Sequence, residues 1–123
     1  MIRAHYWLYT ENEMTALMDG LSRLLEVEKF DHDIENTWEY MDGFSRRFNA
    51  EINVSREKEH KERPFHIGVH FRRHAANDTR DEIGNKLTQH FRLPVFYGTM
   101  REQEGYKDGT TFKYEHIVMK RYH

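Results

Sequence analysis

The chain contains no cysteine, which excludes disulfide bonds, thiolate zinc sites and cysteine nucleophiles. This absence is compatible with a reducing cytoplasm, the location that we expect. No apolar run approaches the roughly 18 residues that a membrane span needs. The first ten residues, MIRAHYWLYT, also lack the apolar core of a signal peptide. We therefore expect a cytoplasmic protein that does not bind membranes.

The sequence motifs of common cofactor and catalytic sites are missing as well. Neither GxxxxGK[ST] nor GxGxxG occurs, so no phosphate cradle is expected, and the absence of GxSxG argues against a serine hydrolase. Nine histidines are many for 123 residues, but none forms HExxH or another metal-binding spacing. Asp31, His32 and Asp33 are consecutive, an arrangement that rarely converges on one ion. We predict no metal and no cofactor, and we favour a non-enzymatic protein over an enzyme.

The composition fits a single domain over residues 1–123. The hydrophobic fraction of 37% can supply one core, and 14% aromatic residues argue against disorder. The net charge of −2 conceals an asymmetry between the two parts of the chain. Residues 1–43 carry ten acids and three bases (−7), whereas residues 44–123 carry eleven acids and sixteen bases (+5). This asymmetry indicates either a charged partner or attraction between two parts of one domain.

Apolar periodicity divides the chain into strands and helices. Segments that are rich in aromatic residues, or that alternate between apolar and polar residues as FHIGVHFRR does, predict strands. The predicted strands are 3–9, 48–54, 65–73, 95–100 and 111–122. Helical spacing predicts helices over about 11–27 and 80–91. The dipeptide Asp108-Gly109 predicts a hairpin turn between the last two strands.

Each predicted helix begins with the pattern of a capping box. In TENE, Thr10 caps the helix and Glu13 reaches back, and in TRDE the same roles fall to Thr79 and Glu82. The element order is strand, helix, strand, strand, helix, strand, strand. This order predicts an α+β fold, namely a ferredoxin-like two-layer sandwich, βαββαβ, with an extra C-terminal strand. In that fold both helices cover one face of a mainly antiparallel sheet.

The stretch EVEKFDHDIENTWEYMDG, residues 26–43, holds seven acidic residues and one lysine, yet aromatic and apolar residues run through it. Ile34, Trp38 and Met41 lie three and four residues apart, which predicts a short helix after Asp33, and Gly43 would end it. Two interpretations follow. Either the helix is solvated and packs Ile34 and Trp38 into the core, or the stretch is a binding surface.

The binding interpretation predicts a basic protein partner. Clustered carboxylates accelerate association with a basic surface, and an exposed aromatic side chain can become a buried anchor. The predicted interface residues are Glu28, Asp31, Asp33, Glu35, Trp38, Glu39 and Asp42.

An alternative function is RNA binding or cleavage on the open sheet face. Strand alternation places histidine, arginine and aromatic side chains on the face away from the helices. Bases stack on such rings, and a histidine pair could cleave RNA by general acid–base catalysis. The residues predicted for this face are Trp7, Tyr9, His66, His70 and Arg72. An uncovered sheet face is ordinarily polar in any case, so the same residues also fit a solvated surface.

In overall character, a small, cysteine-free, single-domain α+β protein with an acidic patch resembles the bacterial immunity proteins that neutralise nuclease toxins of the contact-dependent or polymorphic type. This resemblance extends over the whole chain and is carried by no specific motif. It implies a non-enzymatic inhibitor that binds a cognate toxin tightly in the cytoplasm. The basic later part of the chain, at +5, departs from a uniformly acidic inhibitor.

Overall fold

A computed structural model describes residues 1–103 and 113–123 of the chain. The predicted Asp108-Gly109 turn lies outside these residues. In chain order the elements are β1 (Arg3–Leu8), α1 (Met14–Leu24), β2 (Asp31–Glu35), β3 (Trp38–Ser45), β4 (Ala50–Glu57), β5 (Phe65–Phe71), α2 (Asn77–Phe91), β6 (Val95–Gln103) and β7 (Lys113–Tyr122). The α+β class is therefore confirmed.

The described strands form one antiparallel sheet in the order β2-β3-β4-β5-β1-β6-β7. It contains seven strands, whereas the sequence predicted five. The two additional strands, β2 and β3, arise from the acidic stretch, and β2 forms one edge of the sheet.

The core follows the alternation that the sequence predicted for the central strands. Every second residue of β5, from Phe65 to Phe71, is buried, and β4 buries Ala50, Ile52 and Val54 in the same way. Both helices contribute apolar side chains to the same hydrophobic cluster. The helical members of the cluster are Met14, Leu17, Leu21, Ile83 and Leu87. Burial of such side chains in one cluster is the main stabilising contribution to the fold.

The predicted helix after Asp33 is wrong, because the segment forms a β-hairpin. Asn36 has a φ of 56°, a left-handed conformation that Asn tolerates and that suits a tight hairpin turn. Glu35 pairs directly with Trp38 across this turn. In the strand Met41 is buried, while Trp38 lies on the opposite face. Helical spacing would have placed Ile34, Trp38 and Met41 together.

Both predicted capping boxes are also wrong. Helix α1 begins at Met14 after Glu13, and no side chain caps it. The buried guanidinium of Arg56 donates hydrogen bonds to the carbonyl oxygens of Thr10 (2.8 Å) and Asn12 (3.0 Å), which fixes this segment outside the helix. Helix α2 already begins at Asn77, so that Thr79 lies in its first turn rather than at its cap.

The two C-terminal strands, β6 and β7, pair with a shift in register between Tyr97 and Gly98. The backbone of β7 approaches Gly98 so closely that a Cβ atom there would lie 2.8 Å from the carbonyl carbon of Ile117. A glycine is therefore required at this position, and the irregularity interrupts the regular pairing of the β7 edge strand.

Candidate functional site: an acidic hairpin and an open-face groove

The sheet face that carries Trp38, Tyr40, Asp42, Asn53 and His5 is called the open face here, because the alternate residues of β3 and β4 face the core. Two features occupy it. One is the acidic hairpin, formed by β2 and β3 at the edge of the sheet. The other is a polar depression, the open-face groove, over β3, β4, β5 and β1.

All five residues of β2 are exposed, and two large apolar side chains of the hairpin contact solvent. Ile34 is 46% exposed and Trp38 is 41% exposed, so the interpretation that packs both into the core is wrong. Ile34 pairs with Glu39 and therefore lies on the face opposite Trp38, so that Trp38 is the exposed apolar side chain that the hairpin presents on the open face.

The strand register gathers carboxylates around Trp38. Asp31 pairs with Asp42, Asp33 with Tyr40, and Glu35 with Trp38. Residues that pair across an antiparallel ladder lie on the same face, so Asp31, Asp33, Glu35 and Asp42 all share the open face with Trp38. Glu28 is exposed in the segment that leads into β2.

Glu39 is not part of this surface, although the sequence predicted that it would be. Its side chain points to the opposite face of β3, and the residue is only 8% exposed. There it accepts a 2.6 Å hydrogen bond from Nε2 of His32. The alternation of strand β3 separates Glu39 from Trp38, whereas the predicted helix had placed both in one patch.

The carboxylates of the hairpin differ in how far they are neutralised. Asp31 lies 3.8 Å from Nζ of Lys29, but both side chains are more than four-fifths exposed, and such pairs contribute little. Asp42 accepts a hydrogen bond from the amide of Asn53. Within the described parts of the chain, Asp33 and Glu35 form no salt bridge, so their charges remain available to a partner.

The open-face groove encloses about 720 Å³. Gly68 of β5 lies in the middle of its floor, between Asn53 of β4 and His5 of β1, which pair with it on either side. One step further along the strands, His70 lies between Glu51 and Arg3. Arg72 lies at the same end of the groove, with its guanidinium 4.2 Å from the centre of the Phe44 ring.

Two histidines of the groove contact each other. Nδ1 of His5 lies 2.8 Å from Nε2 of His66, within hydrogen-bonding distance, and the two rings are stacked with their centroids 5.1 Å apart. The hydrogen bond requires a proton on one of the two nitrogens and a lone pair on the other. These rings are therefore held in place by one another.

The five residues predicted for RNA binding divide into two groups. His66, His70 and Arg72 all line the open-face groove. Trp7 and Tyr9 instead border a separate small cavity of about 100 Å³. Tyr9 is 53% exposed, but Trp7 is only 2% exposed and cannot receive a base on its ring. The predicted stacking by Trp7 is therefore wrong, because neighbouring side chains cover that indole.

Arg3 was missed as a residue of this face, although strand alternation could have found it. It lies two residues before His5, and side chains at i and i+2 of a strand share a face. In the described residues no group of three or more His, Asp or Glu side chains is arranged to hold a metal ion. No helix in that part of the chain is both long and apolar enough to cross a membrane.

No family model, no curated protein and no solved structure matches this chain.

Proposed function

We propose that this protein is a non-enzymatic binding protein whose acidic hairpin engages a basic protein partner. Following the resemblance to immunity proteins, we propose that the partner is a nuclease toxin. The observation that carries the proposal is the position of Trp38, 41% exposed and directly opposite Glu35 on an edge hairpin. A toxin that acts on nucleic acid has a cationic surface, which these carboxylates complement.

The two kinds of side chain on the hairpin have different roles in this proposal. Asp33 and Glu35, which have no salt bridge among the described residues, steer a basic partner towards the hairpin and so raise the association rate. Trp38 becomes buried against the partner and slows dissociation, since large aromatic side chains dominate the energetics of interfaces. Asp31, Asp42 and Glu28 extend the negative surface around these residues.

The ferredoxin-like arrangement and the cytoplasmic location belong to the same proposal. The order β4-β5-β1-β6 supports a ferredoxin-like core, to which β2, β3 and β7 are additions at the two edges. Placement of both helices on one face is supported by their shared hydrophobic cluster. A cytoplasmic location follows from the function, because an inhibitor must meet its toxin where the toxin's nucleic acid substrate lies.

The test begins with co-purification of the partner from the native host. The triple variant Asp31→Lys, Asp33→Lys, Glu35→Lys is then compared with a matched reversal of Glu11, Asp19 and Glu59, which are also exposed but lie outside the hairpin. We expect the hairpin reversal to slow association by about an order of magnitude or more at low salt, and the control to change it far less. Unchanged association of a folded hairpin variant would exclude the hairpin from the interface.

A second measurement separates the anchor from the charges. Trp38→Ala should raise the dissociation rate, because truncation of a buried interface aromatic costs about 2 kcal/mol or more. It should leave the salt dependence of association unchanged, since no charge is altered. An equal loss of association rate in Trp38→Ala and in the charge reversal would contradict these separate roles.

RNA binding or cleavage is a second candidate function, which is supported by His66, His70 and Arg72 lining one groove. Because Trp7 is buried, contacts would go to the sugar–phosphate backbone rather than to bases stacked on its ring. The test is the affinity for mixed single-stranded RNA oligomers at low salt, with Arg72→Gln expected to weaken it and Trp7→Phe expected to leave it unchanged. No binding by the unaltered protein would reject this candidate.

A further inference from the structure

We propose that the open-face groove is a binding site for a sugar phosphate, with the phosphate at Arg3, His70 and Arg72 and the sugar hydroxyls at Asp42 and Asn53. This inference does not require the protein partner proposed for the acidic hairpin, although both sites include Asp42. It is also narrower than RNA binding, since a free nucleotide or a free sugar phosphate would satisfy it.

The phosphate end is defined by three side chains at one end of the groove. Arg3 and His70 pair directly across β1 and β5, so their side chains lie side by side on the open face. Arg72 reaches the same end, where its guanidinium stacks on Phe44. Neither arginine forms a salt bridge within the described residues, and all three side chains are exposed. Guanidinium groups present paired donors that match a phosphate.

The hydroxyl end is defined by acceptors in the neighbouring row of the sheet. Asp42 pairs with Asn53, which in turn pairs with Gly68. The amide nitrogen of Asn53 donates to Asp42, which leaves the amide oxygen of Asn53 and the second carboxylate oxygen of Asp42 to accept from a ligand. Gly68 and His70 are two residues apart, so the two rows are separated by about 7 Å along the strand. A phosphate at one row and hydroxyl donors at the other therefore suit one small ligand.

The middle of the groove is open because Gly68 has no side chain. The nearest atoms to a Cβ atom there would be those of the His66 imidazole at 3.3 Å and the Asn53 carbonyl oxygen at 3.7 Å. A larger side chain would extend into the space between Asn53 and His5. The hydrogen-bonded pair of His5 and His66 forms a wall beside this gap and gives the site a spectroscopic reporter.

The charged residues that line the groove argue against a simple anion as its ligand. Besides its cations, the groove is lined by Asp31, Asp42 and Glu51, which would repel a ligand that is negative throughout. A sugar phosphate places its negative charge at one end and its hydroxyl donors at the other. Asp31 and Asp42 lie in the hydroxyl row, where they would accept from the ligand. Glu51 pairs with His70 in the phosphate row, where Arg3 and Arg72 oppose its charge.

The experiment follows the histidine ring resonances of the whole protein by NMR during titration, and measures affinity by calorimetry. The probes are ribose 5-phosphate, 2-deoxyribose 5-phosphate and inorganic phosphate. We expect ribose 5-phosphate to shift the His70, His5 and His66 resonances. It should bind at least about tenfold more tightly than either of the other two probes, because a lost hydrogen bond to a carboxylate costs that much. Equal affinity for all three probes, or no shift of these rings, would overturn the proposal.

Two variants and one control locate the ligand. Arg72→Gln should weaken the binding of ribose 5-phosphate by about tenfold or more, since it removes a charge-assisted hydrogen bond. Arg73→Gln should not weaken this binding, because Arg73 is also exposed but lines a different depression. Gly68→Val should block the groove. If that variant does not fold, the two arginine variants still test the proposal. Equal affinities of Arg72→Gln and Arg73→Gln for ribose 5-phosphate would reject the site.

Competition with a uridine oligomer distinguishes RNA from a free sugar phosphate as the ligand of the groove. Competition between the oligomer and ribose 5-phosphate would assign the groove to RNA. Binding of ribose 5-phosphate without competition would keep the groove proposal as a site for a free sugar phosphate and reject the RNA candidate. Partner association through the acidic hairpin should be unchanged in Arg72→Gln, so that the two proposals fail independently.

Discussion

The hydroxyl of Tyr122 donates a 2.7 Å hydrogen bond to Oδ1 of Asp81, which connects the last strand of the sheet to the second helix. The same oxygen accepts from Nε of Arg80 at 3.0 Å and lies 3.0 Å from Nζ of Lys120. The hydrogen bonds from Arg80 and Tyr122 hold the pKa of Asp81 well below its usual range.

Replacement of Tyr122 by Phe should lower the free energy of unfolding by about 1–2 kcal/mol, because it removes a hydrogen bond to a charged group from a buried side chain. The measurement is urea unfolding at neutral pH. Tyr9→Phe is the matched control, since Tyr9 is exposed and should tolerate the same change. Equal effects of the two substitutions would show that the Tyr122–Asp81 bond does not stabilise the fold.

Asp81 should make stability fall in acid. Its folded pKa lies below the unfolded value of about 3.9, so the unfolded chain binds more protons as the pH falls through this range. The contribution of Asp81 is complete above the unfolded pKa and is lost as the pH falls towards the folded one. Urea unfolding at roughly pH 7 and roughly pH 3 should therefore show a smaller loss for Asp81→Asn than for the unaltered protein. An identical loss in both would contradict this assignment.

Gly98→Ala should destabilise the fold by about 2–3 kcal/mol, or prevent β7 from pairing, because the new methyl group would press against the β7 backbone at Ile117. Gly68→Ala is the control, since a Cβ atom there has its nearest contact with the far end of a side chain. Thermal unfolding of the two variants should differ clearly. Similar melting temperatures would contradict the close approach of the two strands at Gly98.

Asn36→Ala should destabilise the acidic hairpin by about 1 kcal/mol, because Ala adopts the left-handed conformation of this turn less readily than Asn. Asn36→Gly is the control and should retain the turn. Amide hydrogen exchange of β2 and β3 is the measurement, since it reports local opening of the hairpin. Faster exchange in both variants would contradict the role of the backbone conformation at Asn36.

Local alternation predicted the central strands well, because a sheet with one buried face requires an apolar residue at every second position of each strand. In β5 the apolar residues Phe65, Ile67, Val69 and Phe71 alternate with His66, Gly68 and His70, and each member of the first set is buried. The same rule placed His66 and His70 on one face, which allowed part of the open-face groove to be predicted.

The acidic hairpin could not be predicted in this way, because β2 is exposed on both faces and has no core pattern. Ile34, Trp38 and Met41 matched helical spacing by coincidence, because Ile34 lies in one short strand and the other two residues lie in the next, after a two-residue turn. The turn residue Asn36 was the available signal. The exposure of Trp38 also depends on the position of β2 at the edge of the sheet, a tertiary property that no local pattern records.

The burial of Trp7 has a comparable cause. Its side chain points to the open face, where alternation predicts exposure, but Phe96 pairs with it on β6 and Val118 of β7 lies nearby. The residues that cover the indole of Trp7 are separated from it by almost ninety or more positions along the chain. The sequence of β1 alone therefore cannot distinguish a covered indole from an exposed one.

The edge position of β2 also affects how copies of the chain meet one another. Oδ1 of Asp33 accepts a 2.8 Å hydrogen bond from the backbone N–H of Ile34, which occupies a donor on the strand that ends the sheet. Two copies approaching through β2 would also bring their carboxylates together, and this repulsion opposes edge-to-edge pairing. We therefore expect that replacing Asp31, Asp33 and Glu35 by neutral residues promotes self-association, whereas replacing them by Lys does not. The carboxylates that we propose attract a basic partner would therefore also disfavour pairing between two copies of the chain.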